Sequence, residues 1–234
     1  MGNILFAKHV TKTFGTGGSK TVALNDVSLS FQQGAFISII GQSGSGKTTL
    51  LRVLSGLTAP TKGEVFFMGA DISKYNDAQA AEHRRKHIGF VFQSHYLLPE
   101  LTNEENIRLP LKLDKQIVPE EYLERIFSIL GIADLLKKYP EECSGGEQQK
   151  VAIARAFANQ PEIVFADEPT GNLDLESGEN VISLFLTMQK FLNTTVIMVT
   201  HNLSLANRAE RIITICNGRA VDDKAVTEDH ENET

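Results

Sequence analysis

The chain has 234 residues, 41% of them hydrophobic and 22% charged, a profile that excludes fibrous, collagen-like and wholly disordered classes. Its formal net charge is -6, but residues 222–234 carry six acidic side chains and one lysine, or -5, which leaves -1 for the rest and no basic surface for nucleic acid. Cys143 and Cys216 match no disulfide framework or metal spacing, the N-terminus lacks a secretory pattern, and no apolar run approaches the ~20 residues of a bilayer span. A soluble chain is expected, with any membrane role exerted through a partner.

Apolar and polar residues alternate from Ile4 to Val10 and from Val22 to Phe31, which predicts two half-buried antiparallel strands. A loop, Phe14 to Ser19, separates them. Phe14 is either a hairpin or core aromatic, or a ring on which a purine base stacks. Next comes the apolar run Phe36 to Ile40, followed without a spare residue by GQSGSGKT and by Thr49-Leu50-Leu51-Arg52-Val53-Leu54. A strand, a glycine-rich loop and a helix start in that order are what the phosphate-loop motif requires. The loop and first turn, Gly41, Gln42, Ser43, Gly44, Ser45, Gly46, Lys47, Thr48 and Thr49, are expected to bind a nucleoside triphosphate. Backbone N–H groups would face the phosphates, Lys47 would meet their charge, and the Thr48 hydroxyl would ligate Mg2+.

The helix should stop near Ser55, before Gly56 and Pro60, and Glu64 to Met68 should add a strand to the antiparallel sheet. Asp77 to Lys86 has helical composition, and its cluster His83-Arg84-Arg85-Lys86-His87 reads as a solvated helix end that complements the dipole. Ile88 to Phe92 is a short buried strand that ends at Gln93, where open α/β sheets place ligands. From Ser94 the pattern turns helical, with helices predicted over Asn103 to Leu113 and Pro119 to Leu130. Residues 94–158 thus form an inserted helical lobe.

Ser144-Gly145-Gly146 opens a further helix running to Phe157. Ser144 suits an N-cap, while two glycines in the first turn disfavour helix and would leave N–H groups open for a second anion. Glu162 to Ala166 is an apolar strand closed by Asp167 and Glu168. In a phosphate-loop protein Asp167 would hold Mg2+ or its water, and Glu168 would polarise the attacking water. A turn, Gly171 to Asp174, leads to a helix ending at Leu192, and the strand Thr194 to Thr200 ends at His201, which could hydrogen-bond a γ-phosphate. Arg211 to Cys216 is the last core strand, Asn217-Gly218 a hairpin turn into Arg219 to Val221, and residues 222–234 an acidic, disordered tail.

Taken together these residues resemble the ATP-binding-cassette ATPases over nearly the whole chain, Ile4 to Val221. GQSGSGKTT resembles the Walker A loop, Gln93 the Q-loop, CSGGEQQK the signature, EIVFADEP the Walker B strand with its glutamate, GNLD the D-loop and His201 the switch histidine. Phe14 falls where the family stacks adenine. GFVFQSHYLLPELTNEENIRLPL and ADEPTGNLD are similar to the lipoprotein-release and macrolide-export subgroup usually called LolD/MacB, although Cys143 stands where Leu is common and Lys150 where Arg is common.

The resemblance implies an α/β fold with a RecA-like P-loop NTPase parallel-sheet core, an antiparallel β subdomain and an inserted α-helical subdomain, the domain spanning 1–221. It implies an ATPase with ATP and Mg2+, held as a head-to-tail homodimer around two MgATP. In such a dimer Ser144, Gly145 and Gly146 of one copy cap the nucleotide on the other's Walker A loop. Glu168 and His201 would act in hydrolysis beside Lys47, Thr48, Gln93 and Asp167 would fix Mg2+, and Asp174 would sense the opposite site. The working partner would be an integral membrane permease, placing the chain on the cytoplasmic face of the membrane. Ser94 to Leu101 is the candidate partner groove, or simply lobe packing. A non-transport relative that regulates cell-wall or cell-division machinery through a membrane partner is the alternative function.

Overall fold

The computed structural model describes residues 2–15, 19–171 and 173–226. In chain order, β1 (Asn3–Phe14) and β2 (Thr21–Gln32) pair antiparallel, β3 (Phe36–Ile40) leads into α1 (Lys47–Leu54), and β4 (Lys62–Phe67) returns to pair with β1, followed by β5 (Ala70–Asp71). Then come α2 (Asp77–His87), β6 (Ile88–Phe92), α3 (Asn103–Asp114), α4 (Glu120–Leu130), α5 (Gly145–Phe157) and β7 (Ile163–Asp167). The chain closes with α6 (Leu175–Leu192), β8 (Thr195–Val199), a one-turn α7 (Leu203–Ala206), β9 (Arg211–Cys216) and β10 (Arg219–Ala225).

Two sheets result. One is antiparallel, in the order β2-β1-β4-β5; the other has the order β10-β9-β3-β8-β7-β6, parallel throughout except for the β10 edge. Side chains alternate across the parallel sheet, as the pleat requires. Ile37, Ile39, Phe165, Ile197 and Val199 join α1 and the antiparallel sheet in one core, while Phe36, Val164, Ala166, Val196 and Met198 face α3, α4, α5 and α6 in the other. Burying both faces explains why these strands read as unbroken apolar runs.

The register carries the functional consequence. Phe92 lies beside Asp167, Asp167 beside Val199, and Val199 beside Ile39. The carboxyl ends of four neighbouring strands therefore finish level, where doubly wound sheets hold ligands.

Three expectations need correction. Phe14 ends β1 instead of lying in a loop, because the strand continues past Val10 through register shifts at His9, whose φ of 52 interrupts the alternation. Residues 222–225, assigned by composition to the disordered tail, belong to β10, where Arg211 clamps Asp223 through Nε and Nη2, both at 2.6 Å. Within the basic stretch of α2 the end is not fully solvated, since His83 is 7% exposed and packs edge-on against Phe67, and Arg84 donates to Gly56 O at 2.8 Å. Residues 16–18, Asn172 and 227–234 lie outside the described residues, and with them parts of the glycine loop, the Gly171 to Asp174 turn and the acidic tail.

Candidate functional site

The loop after β3 is a cradle fixed on three sides. Ser45 N donates to Gln42 O at 3.1 Å, and Gly218 N, from the β9–β10 turn, donates to Ser45 O at 2.8 Å. Gly46 has a φ of 108 and would drive a Cβ to 2.4 Å from Ala23 O of β2, so glycine is required there by both backbone and space. Gln42, Ser43 and Gly44 form the exposed rim, and Thr48 and Thr49 lie half-buried in the first turn. α1 starts at Gly46 without a side-chain cap or an acidic residue in its first turn, which leaves its N–H groups and dipole available to an anion.

Lys47 is buried, and its Nζ donates to Gly41 O at 2.8 Å and Gln42 O at 2.9 Å. An ammonium has three donors, so one is left for a phosphate. The buried Ser45 Oγ has no hydrogen-bond partner among the described residues. An uncapped helix start, a spare ammonium donor and an orphaned hydroxyl together fit a polyphosphate.

At the neighbouring strand end Thr48 Oγ1 donates to Asp167 Oδ1 at 3.1 Å. Burial raises the Asp167 pKa, the Thr48 bond lowers it, and the Glu168 carboxylate raises it further. A carboxylate so placed favours a cation, which fits Mg2+ held by one carboxylate, a hydroxyl, water and phosphate instead of an all-protein cage. No cluster of three or more His, Cys, Asp or Glu suited to a metal occurs among the described residues. Glu168 follows with a φ of 48, and its Oε2 meets His201 Nδ1 at 3.1 Å. Though adjacent, the two acids bond different neighbours, Asp167 to Thr48 and Glu168 to His201.

Gln93 follows the end of β6, and a Cβ on Gly171 would approach its Nε2 to 2.7 Å, so Gly171 admits the carboxamide only because it lacks a side chain. Asp174 caps α6, with Oδ1 accepting from Ser177 N at 2.9 Å and Oδ2 from Ser177 Oγ at 2.8 Å; the first of these bonds does most to lower its pKa. Glu168, Gly171, Asp174 and His201 line one small cleft. Phe14 is 48% exposed with Lys12 Nζ 5.3 Å from its ring centre, and it pairs with Thr21, two residues from the Ala23 that touches the cradle.

Ser144, Gly145 and Gly146 stand apart from this constellation. Ser144 N and Oγ donate to Glu147 Oε2 at 2.7 and 2.8 Å, a capping box, and a Cβ on Gly145 or Gly146 would meet nothing within 4 Å. No hydrogen bond among the described residues joins them to the Gly41–Thr48 loop.

Residues 24–171 match the ABC transporter family. The chain belongs to that family. It is 44% identical to the uncharacterised ABC transporter ATP-binding protein MJ1508 of Methanocaldococcus jannaschii, over 92% of this chain and 97% of that one. It is 47% identical to the lipoprotein-releasing system ATP-binding protein LolD of Aquifex aeolicus, over 85% and 89%. Among solved structures, a dimeric post-hydrolysis state of the ATP-binding cassette MJ0796 bound to ADP and Pi superposes with a TM-score of 0.85 at 38% identity, covering 95% of this chain and 99% of that one. This ABC cassette is therefore the ATP-binding and ATP-hydrolysing subunit of a transporter, with the P-loop NTPase fold. No helix among the described residues is long and apolar enough to cross a membrane.

Sequence reasoning missed two contributors. Gly218, legible only as half of an Asn-Gly hairpin, braces the cradle from behind through its bond to Ser45 O. Arg155 of α5, whose Nη1 and Nη2 bond Tyr96 O and His95 O in the segment after Gln93, was likewise unmarked by the pattern of its helix.

Proposed function

We propose that two copies of this cassette close head to tail around two ATP molecules and thereby drive an integral membrane permease of the lipoprotein-release or macrolide- and peptide-export kind. The observation that carries the reading is the division of the site. One chain holds a finished cradle at Gly41 to Thr48 and an open glycine pair at Gly145-Gly146, with no hydrogen bond among the described residues joining them. The dimeric form of the related cassette supports the pairing, and the LolD relatives support a permease partner and a peripheral position on the cytoplasmic membrane face.

In the closed pair Lys47 neutralises the β- and γ-phosphates, Phe14 stacks on the base, and the N–H groups at Ser144 to Gly146 of the facing copy cap the γ-phosphate. Bound Mg2+ would supply charge neutralisation at the phosphate oxygens, held by Thr48, Asp167 and Gln93 directly or through water. Glu168 takes the proton of the attacking water. As an imidazolium, the His201 ring would donate Nδ1–H to Glu168 and Nε2–H to a γ-phosphate oxygen, fixing carboxylate and phosphate together. Asp174 lies in the same cleft, where it would report on the facing site. Loss of the γ-phosphate removes the contact that favours closure, and the pair reopens.

Glu168→Gln tests this. The variant should bind ATP normally, lose turnover by ~10²–10⁴-fold, and run as a dimer in light scattering with MgATP. Near-normal hydrolysis, or a monomer under saturating MgATP, contradicts the reading.

A further inference from the structure

Arg155 lies near the end of α5, the helix that begins at Ser144, and its guanidinium is buried enough to lower its pKa. Among the described residues it makes no ion pair. Instead it grips two consecutive backbone carbonyls, Nη1 donating to Tyr96 O at 2.6 Å and Nη2 to His95 O. A half-buried guanidinium that bonds two main-chain oxygens and no carboxylate among the described residues is partly desolvated without a counter-ion, a cost that the held carbonyls offset.

The residues it holds are themselves strained. His95 and Tyr96 have φ values of 57 and 49, two successive left-handed conformations without a glycine. They belong to the segment that leaves Gln93, and Tyr96 N donates to Ser94 O at 2.5 Å. The far end of this segment is tied to α3, where the buried Asn106 accepts from Leu98 N at 2.7 Å and donates to Leu98 O at 3.0 Å. On the near side the His95 ring lies close to Gln148 and Gln149 of α5, whose amides oppose the pKa lowering that burial imposes. Gln149 is fully buried, yet its carboxamide makes no well-aligned hydrogen bond. Strain and a poorly aligned buried amide thus meet at one joint.

Although the segment emerges from β6, it is fastened at its start to the helix that carries the signature. Tyr96 also lines a groove with Phe90, Phe92, Pro110 and Arg155, its ring 5.3 Å from that of Phe92.

We infer that Arg155 is a positioning residue that makes residues 93–96 travel with α5. Drawing Ser144 to Gly146 onto a triphosphate then sets Gln93 in the same motion, and pressure on Tyr96 in the groove is felt at the signature. Arg155 holds the two carbonyls from two separate nitrogens, Nη1 and Nη2, a spread that the single nitrogen at the tip of a lysine placed on the same turn of α5 does not reproduce. The inference rests on the roles given above to Gln93 and to Ser144, Gly145 and Gly146.

Hydrogen–deuterium exchange of the full chain tests it, run with and without MgATP in the Glu168→Gln background, for Arg155, Arg155→Met and Arg155→Lys. With Arg155 present, MgATP should protect residues 93–98 and 144–150 together. In both variants 144–150 should still gain protection, while 93–98 exchanges ~10-fold faster and no longer responds to nucleotide. With Glu168 intact, kcat should fall ~10-fold and ATP affinity should stay within ~3-fold. Arg155→Lys keeps the charge and guards against a simple folding defect, and its behaving as the unsubstituted chain would overturn the proposal. So would nucleotide-dependent protection of 93–98 retained in both variants. If the parent itself shows no protection at 144–150, the reading of the signature fails first and the coupling falls with it.

Discussion

The cradle at Gly41 to Thr48 and the turn at Ser144 to Gly146 both offer helix N-termini to an anion, yet they are built in opposite ways. The cradle is braced by β2, by the β9–β10 turn and by its own lysine, and Gly46 has no space for a side chain. The signature turn has empty space over both glycines, and among the described residues the bonds of Ser144 run to Glu147 and Gln148 of its own helix. A site completed within one chain would not leave a glycine pair unfilled. The first element is finished, and the second is presented.

The difference predicts that damage to the cradle abolishes binding, whereas damage to the signature spares binding and abolishes closure and turnover. Lys47→Ala removes a buried donor and should weaken ATP affinity on the order of 100-fold or more, about 3 kcal/mol, by titration calorimetry. Ser144→Trp should leave monomer affinity intact and suppress turnover. Equal loss of affinity in both variants would erase the distinction.

Acid should strike α2 and the signature turn unequally. His83 of α2 is enclosed by Phe67, Tyr75 and His87, and burial, with His87 and Arg84 adding to it, lowers its pKa from 6.5 to about 4. The folded state therefore holds it neutral. That contribution is complete above pH 6.5 and lost as the pH falls towards 4, up to about 3 kcal/mol. The Glu147 carboxylate is held below its usual range by the Ser144 backbone and hydroxyl, so the signature cap persists through the same window. Melting temperature against pH should decline less steeply in His83→Phe than in the parent, and parallel curves would show that His83 is not the group responsible.

Two glycine substitutions sharpen the contrast. Gly46→Ala forces a Cβ against Ala23 O and should lower ATP affinity ~30-fold, about 2 kcal/mol. Gly146→Ala meets nothing and should stabilise α5 by up to ~1 kcal/mol, while obstructing closure enough to reduce kcat ~10-fold. A Gly146→Ala protein that is both more stable and fully active would contradict the assigned approach of a facing molecule.

The smallest effect is expected at Asp167. Because burial raises its pKa, the protonated form favours folding, and that contribution is lost as the pH rises through the raised pKa. Asp167→Asn should raise the melting temperature by about 2–4 °C while turnover is lost. A lower melting temperature would mean that the carboxylate is stabilising as it stands.

Much of this was legible in the sequence because local signals agreed. Phe36 to Thr48 runs strand, loop and helix without interruption, and Gln93, Asp167 and His201 each close an apolar run, so their convergence followed from parallel register. What stayed hidden depended on contacts distant in sequence. The bulge at His9 broke the alternation that would have carried β1 to Phe14, and residues 222–225, the end of β10, looked like part of an acidic tail although Arg211 of β9 pairs with Asp223. In the same way the burial of His83 depends on Phe67, and the part played by Arg155 depends on carbonyls 59 and 60 residues away. Composition cannot signal such partners.

The most direct measurement is the structure of the Glu168→Gln protein crystallised with saturating MgATP. The account predicts a two-fold pair in which each triphosphate lies between Gly41 to Thr48 of one copy and Ser144 to Gly146 of the other. A lone subunit with bound nucleotide, or a pair that leaves those two elements apart, would contradict it.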